Sequence, residues 1–134
     1  MKVALDTNAY SDGARGAERV VEVLTTADQI YLPFVVLAEL RAGFTAGSRG
    51  QKNEAALTRF LGSPRVQTLL PDEPTTHHYA RLFGYLRKRG TPVPTNDLWI
   101  AALAVQHDLL LVTRDAHFAK LPQLGRIDVG ADAR

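Results

Sequence analysis

The chain has no cysteine among its 134 residues, and only one tryptophan and one methionine. Without thiols there is no disulfide framework and no thiolate metal site, so the binding of any metal falls to carboxylates; the absence also fits a reducing cytoplasm. Long apolar runs are missing too. Nowhere do 18 uninterrupted apolar residues occur, and the opening MKVALD reaches an acid at position 6, so neither a membrane span nor a signal segment is expected. An excess of charge of one sign is lacking as well. With 16 Lys plus Arg against 14 Asp plus Glu the net charge is +2, and bulk electrostatics make a weak case for a nucleic-acid partner. There is no HExxH pair, no G-x-S-x-G nucleophile elbow and no GxxxxGK[ST] loop, which argues against protease, esterase and NTPase chemistry. Internal repeats and low-complexity tracts are absent.

What is present is the balance of a globular chain, 46% hydrophobic and 22% charged, long enough for one domain over residues 1–134 with a sizeable core. KVAL at 2–5 reads as a buried strand that stops at a site-forming D-T-N loop. Residues 17–27 read as a helix, IYLP at 30–33 as a strand, and Pro33 as the opening of a helix through Phe34, Leu37 and Leu40 to about Gly43. The polar, glycine-bearing stretch 45–53 predicts a loop, the most mobile of the chain. A helix then carries Ala55, Leu57, Phe60 and Leu61, VQTLL at 66–70 is a strand, and the helix containing Tyr79, Leu82, Phe83 and Leu86 ends at Gly90. TNDLWIAALAVQH is apolar nearly all round, hence a buried helix, with Thr95 or Asn96 as its N-cap. LLLVT at 109–113 is apolar on both faces, as parallel central strands are, and residues 127–129 offer a last strand. Strands separated by helices predict a three-layer α/β/α domain with a mostly parallel sheet.

Four acids stand in or beside these core runs: Asp6, Glu39, Asp97 and Asp115. Carboxylates are rarely buried without a partner, and several sharing one cleft are well matched by a hard divalent cation such as Mg²⁺ or Mn²⁺. Asp6 directly follows the first strand, and Asp115 follows the LLLVT strand with one residue intervening after Thr113, where α/β sheets collect ligands. Asp97 sits in a helix first turn, where the N-terminal dipole favours it. Each has a plainer reading: a turn residue for Asp6, a first-turn acid for Asp97, a helix cap for Asp115, a surface ion pair for Glu39. Their conjunction favours a shared site. Asn8 and Thr113 stand beside two of the acids as polar groups able to orient a carboxylate or a metal-bound water.

The runs LDTN, LAEL, NDLWIAALA and VTRDAHF, in this order, resemble those of PIN-domain ribonucleases, specifically VapC-like toxins of bacterial toxin–antitoxin pairs, over residues 2 to about 129. The resemblance implies metal-site and catalytic roles for Asp6, Glu39, Asp97 and Asp115, with Asn8 and Thr113 in support. It implies Mg²⁺- or Mn²⁺-dependent endoribonuclease activity leaving 5′-phosphate and 3′-hydroxyl ends. Further implications are restraint by a small VapB-like antitoxin, a homodimer, and contact with promoter DNA only through the antitoxin.

Arg114 is placed to face phosphate at the groove mouth or to pair with an acid, and Tyr10 to contact RNA or antitoxin. The run Arg87–Arg89 reads as a phosphate contact or as a solvated helix end. Trp99 and Tyr79 read as packing residues, and His77, His78, His107 and His117 as surface or satisfied polar groups. Two rivals stay open: a phosphatase of haloacid-dehalogenase type, disfavoured because D-T-N replaces its D-x-D, and a catalytically silent interaction module of the same fold, disfavoured because idle clustered carboxylates repel.

Overall fold

In a computed structural model that describes residues 1–130, five strands form one wholly parallel sheet in the order β3-β2-β1-β4-β5. The elements run β1 (Lys2–Leu5), α1 (Thr7–Ala14), α2 (Glu18–Thr26), β2 (Gln29–Pro33), α3 (Phe34–Ala46), α4 (Gly50–Leu61), β3 (Val66–Leu69), α5 (Glu73–Arg89), α6 (Thr95–Gln106), β4 (Leu110–Thr113), a 3-10 helix (Ala116–Lys120) and β5 (Arg126–Asp128). Helices pack in consecutive pairs, α1 with α2, α3 with α4 and α5 with α6, as the layers of an α/β/α sandwich.

Burial follows strand position. Val3, Ala4 and Leu5 of the central β1 are fully buried, and β4 beside it buries Leu111, Val112 and Thr113. The edge strands are interrupted by exposed polar side chains, Gln67 and Thr68 in β3, Arg126 and Asp128 in β5, which discourages further pairing. Chain order reverses between β1 and β4: from β1 the chain steps outward to β2 and β3, then crosses back to β4 on β1's other side. The crevice beyond the carboxyl ends of this strand pair is where such sheets bind ligands.

Four local expectations are corrected. The D-T-N segment is no loop: Asp6 caps a helix over Thr7–Ala14, its carboxylate accepting the Ala9 amide at 2.8 Å. The stretch 45–53 is mostly helical, because α3 runs on to Ala46 and α4 starts at Gly50, leaving only residues 47–49 between them. Gly50 makes that turn possible, since a Cβ there would stand 2.5 Å from the Phe44 carbonyl oxygen. The N-cap of α6 is Pro94, so neither Thr95 nor Asn96 caps it, and the last strand ends at Asp128 after starting at Arg126. The expected stop at Gly90 holds: it takes the left-handed conformation (φ 67°) that closes α5.

At the other end of α5, Asp72 and Thr75 form a reciprocal cap, and Gln106 of α6 donates to Asp72 at 2.8 Å while accepting the Thr75 hydroxyl at 2.6 Å. The Tyr79 and Trp99 rings pack against each other at a 35° tilt with centroids 4.3 Å apart, as packing residues between these helices. Among the described residues no helix is long and apolar enough to cross a membrane.

Candidate active site

Strand register brings the first two polar groups together. Leu5 pairs with Val112, so the next residue on each strand, Asp6 and Thr113, meet at the sheet's carboxyl edge. The Thr113 hydroxyl donates to Asp6 Oδ2 at 2.5 Å. Asp6 is only 5% exposed, and burial pushes its carboxyl up to about 6; the Thr113 and Ala9 hydrogen bonds pull it down, while the charges of Asp115 and Asp97 add to the rise.

Thr113 also organises the next acid. Its oxygen accepts the Asp115 amide at 2.9 Å, and Asp115 then caps the 3-10 helix by accepting the His117 amide at 2.9 Å. Asp97 enters from the first turn of α6, half-buried; burial raises its carboxyl, and the neighbouring charges of Asp115 and Glu39 raise it further against the pull of His117. Glu39 comes from α3, where Thr7 donates to its Oε1 at 2.5 Å and Asn96 to its Oε2 at 3.2 Å. The acids are thus linked by repulsion, Asp6 with Asp115 and Asp97, and Asp97 with Asp115 and Glu39. Among the described residues none of them forms an ion pair with a lysine or arginine, and the basic side chain in contact with Asp97 and Asp115 is the imidazole of His117.

His117 is the residue that sequence reasoning set aside. Its Nδ1 lies 3.2 Å from Asp97 Oδ2 and 3.2 Å from Asp115 Oδ1. The three side chains offer one ligand atom each within 4.8 Å of one another. His117 reads from sequence as a surface or satisfied polar group, yet a 3-10 helix beginning at Ala116 turns adjacent side chains different ways, Phe118 into the core and His117 to the acids. Thr7 and Asn96, the donors that hold Glu39, were also not anticipated; both are polar residues next to acids in the D-T-N and T-N-D runs. Asn8, by contrast, is exposed.

Arg114 pairs with Asp12 of α1 at 2.8 Å and with none of the four acids, and Arg15 also donates to Asp12 at 2.6 Å. Tyr10 is 8% exposed and packs edge-on against Phe60 at 5.3 Å, so only its rim reaches a groove between α1, α3 and α4. That groove, about 450 Å³, is lined among others by Arg15, Arg49, Lys52 and Arg59. Arg87, Lys88 and Arg89 are exposed in the last turn of α5, with Arg89 over the Tyr85 ring at 5.4 Å.

Oxygen donors gathered without a lysine or arginine counter-charge are the donor chemistry that a divalent cation satisfies. The comparison with known proteins agrees with this geometry. The PIN domain family model matches residues 3–124. Ribonuclease VapC5 of Mycobacterium tuberculosis is 30% identical over 125 residues, 93% of this chain and 91% of its own. Toxin FitB of Neisseria gonorrhoeae is 33% identical over 126 residues, covering 84% and 87% of the two chains. The structure of VapBC2 from Rickettsia felis bound to a DNA fragment from its promoter contains a chain 26% identical to this one, with a TM-score of 0.81 over 96% of this chain and 98% of that one. By sequence, fold and extent of match, the chain belongs to the PIN-domain family, among its VapC-like members.

Proposed function

We propose that this protein is a divalent-metal-dependent endoribonuclease and the toxin of a toxin–antitoxin pair. The observation that carries the reading is the grouping of Asp6, Glu39, Asp97 and Asp115 near the β1/β4 switch point with, among the described residues, no lysine or arginine paired to any of them. Carboxylates in that state repel, which is costly unless a bound cation offsets it. Asp6, Asp97 and Asp115 would hold Mg²⁺ or Mn²⁺. Bound there, such an ion lowers the pKa of a coordinated water and neutralises charge on the phosphodiester under attack.

The chain's own groups supply the positioning. Thr113 and the Ala9 amide fix both oxygens of Asp6, so it presents its remaining lone pairs to the cleft in one orientation. Thr7 and Asn96 do the same for Glu39, which would then serve as proton acceptor for the attacking water. The cation-lined groove at α1, α3 and α4 suits a polyanion, and its helices α1 and α3 are the ones that carry Asp6 and Glu39 to the site. The toxin assignment is supported by likeness to VapC5 and FitB, and an antitoxin partner by likeness to the VapBC2 complex.

Expression of the chain alone arrests growth on this reading, Asp6→Asn abolishes the arrest, and coexpression of a small neighbouring antitoxin relieves it. Growth unaffected by a folded, expressed parent chain contradicts the toxin assignment.

A further inference from the structure

We propose that His117 is a ligand in this centre, and that through it the site prefers a transition-metal dication to Mg²⁺. The inference rests on the carboxylate cluster being a metal site, as proposed above. Three features lead to it. The first is spacing: Nδ1 of His117 is 3.2 Å from an oxygen of Asp97 and 3.2 Å from an oxygen of Asp115. Neighbouring ligands of an octahedral ion bound at about 2.1 Å are about 3.0 Å apart, so the His117 nitrogen stands close to ligand spacing from one oxygen of each acid, and the three donor atoms lie within 4.8 Å of one another.

The second is that the imidazole is aimed there by the fold. Asp115 caps the 3-10 helix through the His117 amide at 2.9 Å, and the next side chain, Phe118, is 1% exposed and anchors that helix in the core. The ring therefore starts from a fixed backbone and faces Asp97 across from α6. The third is chemistry. Carboxylates act on dications mainly through charge, which Mg²⁺, Mn²⁺ and Co²⁺ share. An imidazole nitrogen adds little for Mg²⁺, a hard ion that keeps its waters, and progressively more from Mn²⁺ to Co²⁺. A site of carboxylates alone has a shallower gradient, so losing the imidazole should cost more affinity for Co²⁺ than for Mn²⁺ and least for Mg²⁺.

The test is calorimetric titration of the full-length, metal-free protein with Mg²⁺, Mn²⁺ and Co²⁺ in the absence of RNA, for the parent, His117→Ala and His117→Gln. Visible absorption of the Co²⁺ complex is recorded alongside, and circular dichroism establishes that each variant is folded. The expected result is little change for Mg²⁺, a loss of roughly tenfold for Mn²⁺ and a larger one for Co²⁺, with the Co²⁺ bands displaced once nitrogen is gone. An equal loss for all three ions overturns the proposal, since it marks His117 as a residue that only positions Asp97 and Asp115. Unchanged affinities with unchanged Co²⁺ bands overturn it too. A parent that binds all three ions without the gradient removes this inference and leaves the metal centre standing, whereas a parent that binds none removes both.

Discussion

The Thr113 hydroxyl and the Asp6 carboxylate meet across the β1/β4 pair at 2.5 Å, a contact between residues 107 positions apart that the parallel register alone brings into line. Because Thr113 also accepts the Asp115 amide, one hydroxyl sets the orientation of two of the four acids. Thr113→Val, which keeps the side chain's shape and removes the hydroxyl, should raise the Asp6 carboxyl above about 6, since that hydrogen bond pulls it down. Metal affinity should fall by roughly 10–100-fold, as for other supports of a liganding group, and Thr113→Ser should restore most of it. Isothermal titration of the two variants checks this; equal affinities for Val and Ser variants would show that the hydroxyl is immaterial.

Burial of Asp6 has a consequence for stability against pH. Its folded-state value of about 6 stands above the ordinary aspartate value of 3.8, so the folded protein holds this proton more tightly than the unfolded chain. The resulting stabilisation is full below pH 3.8 and is lost as pH rises through about 6. At about 1.4 kcal/mol per pKa unit, the Asp6 contribution is on the order of 3 kcal/mol. In the metal-free protein Asp6→Asn should therefore match the parent near pH 4 and exceed it in stability at pH 8. Denaturant titrations at both pH values measure the difference, which isolates Asp6 from other titrating groups such as Asp72, whose hydrogen bonds with Gln106 and Thr75 lower its pKa. A parent-minus-variant difference that does not change between pH 4 and pH 8 contradicts the account.

The groove cations should govern affinity for RNA more than the cutting step. Replacing Arg49, Lys52 and Arg59 by Ala should weaken binding of a single-stranded RNA measured without metal. Each lost phosphate contact should flatten the dependence of log K on log salt by about 0.7. Cleavage maps of total RNA would show whether the groove also selects sequence: altered cut sites mean that it does, and the same sites at lower rates mean backbone contact only. Unchanged affinity and unchanged salt slope would remove the groove from the RNA path.

The layered fold and its parallel sheet were legible because KVAL and LLLVT are apolar on both faces and are separated by helix-length segments. The four acids stood out for the same reason, being charges set against core runs. Helix α1 was not legible: TNAYSDGA is short, polar and glycine-bearing, and what makes it a helix is the Asp6 cap together with packing against α2 and α3. The start of α4 escaped because GQKN faces solvent, so it carries no apolar period, and because the need for Gly50 arises from the Phe44 carbonyl six residues earlier. His117 escaped because its role depends on a 3-10 turn that separates two adjacent side chains. The pairing of Arg114 with Asp12 depends on the approach of α1 to β4, which no local pattern encodes.

The central claim is that these carboxylates form the metal site of an endoribonuclease, and the most direct measurement is cleavage of purified RNA by the purified chain with and without added metal. The account predicts no cutting after chelation, recovery on adding Mg²⁺ or Mn²⁺, products with 5′-phosphate and 3′-hydroxyl ends, and loss of about 100-fold or more in rate for folded Asp6→Asn and Asp97→Asn, as for removal of a group that acts in the transition state. Cleavage that persists in chelator, or at parental rate in either folded variant, would contradict it.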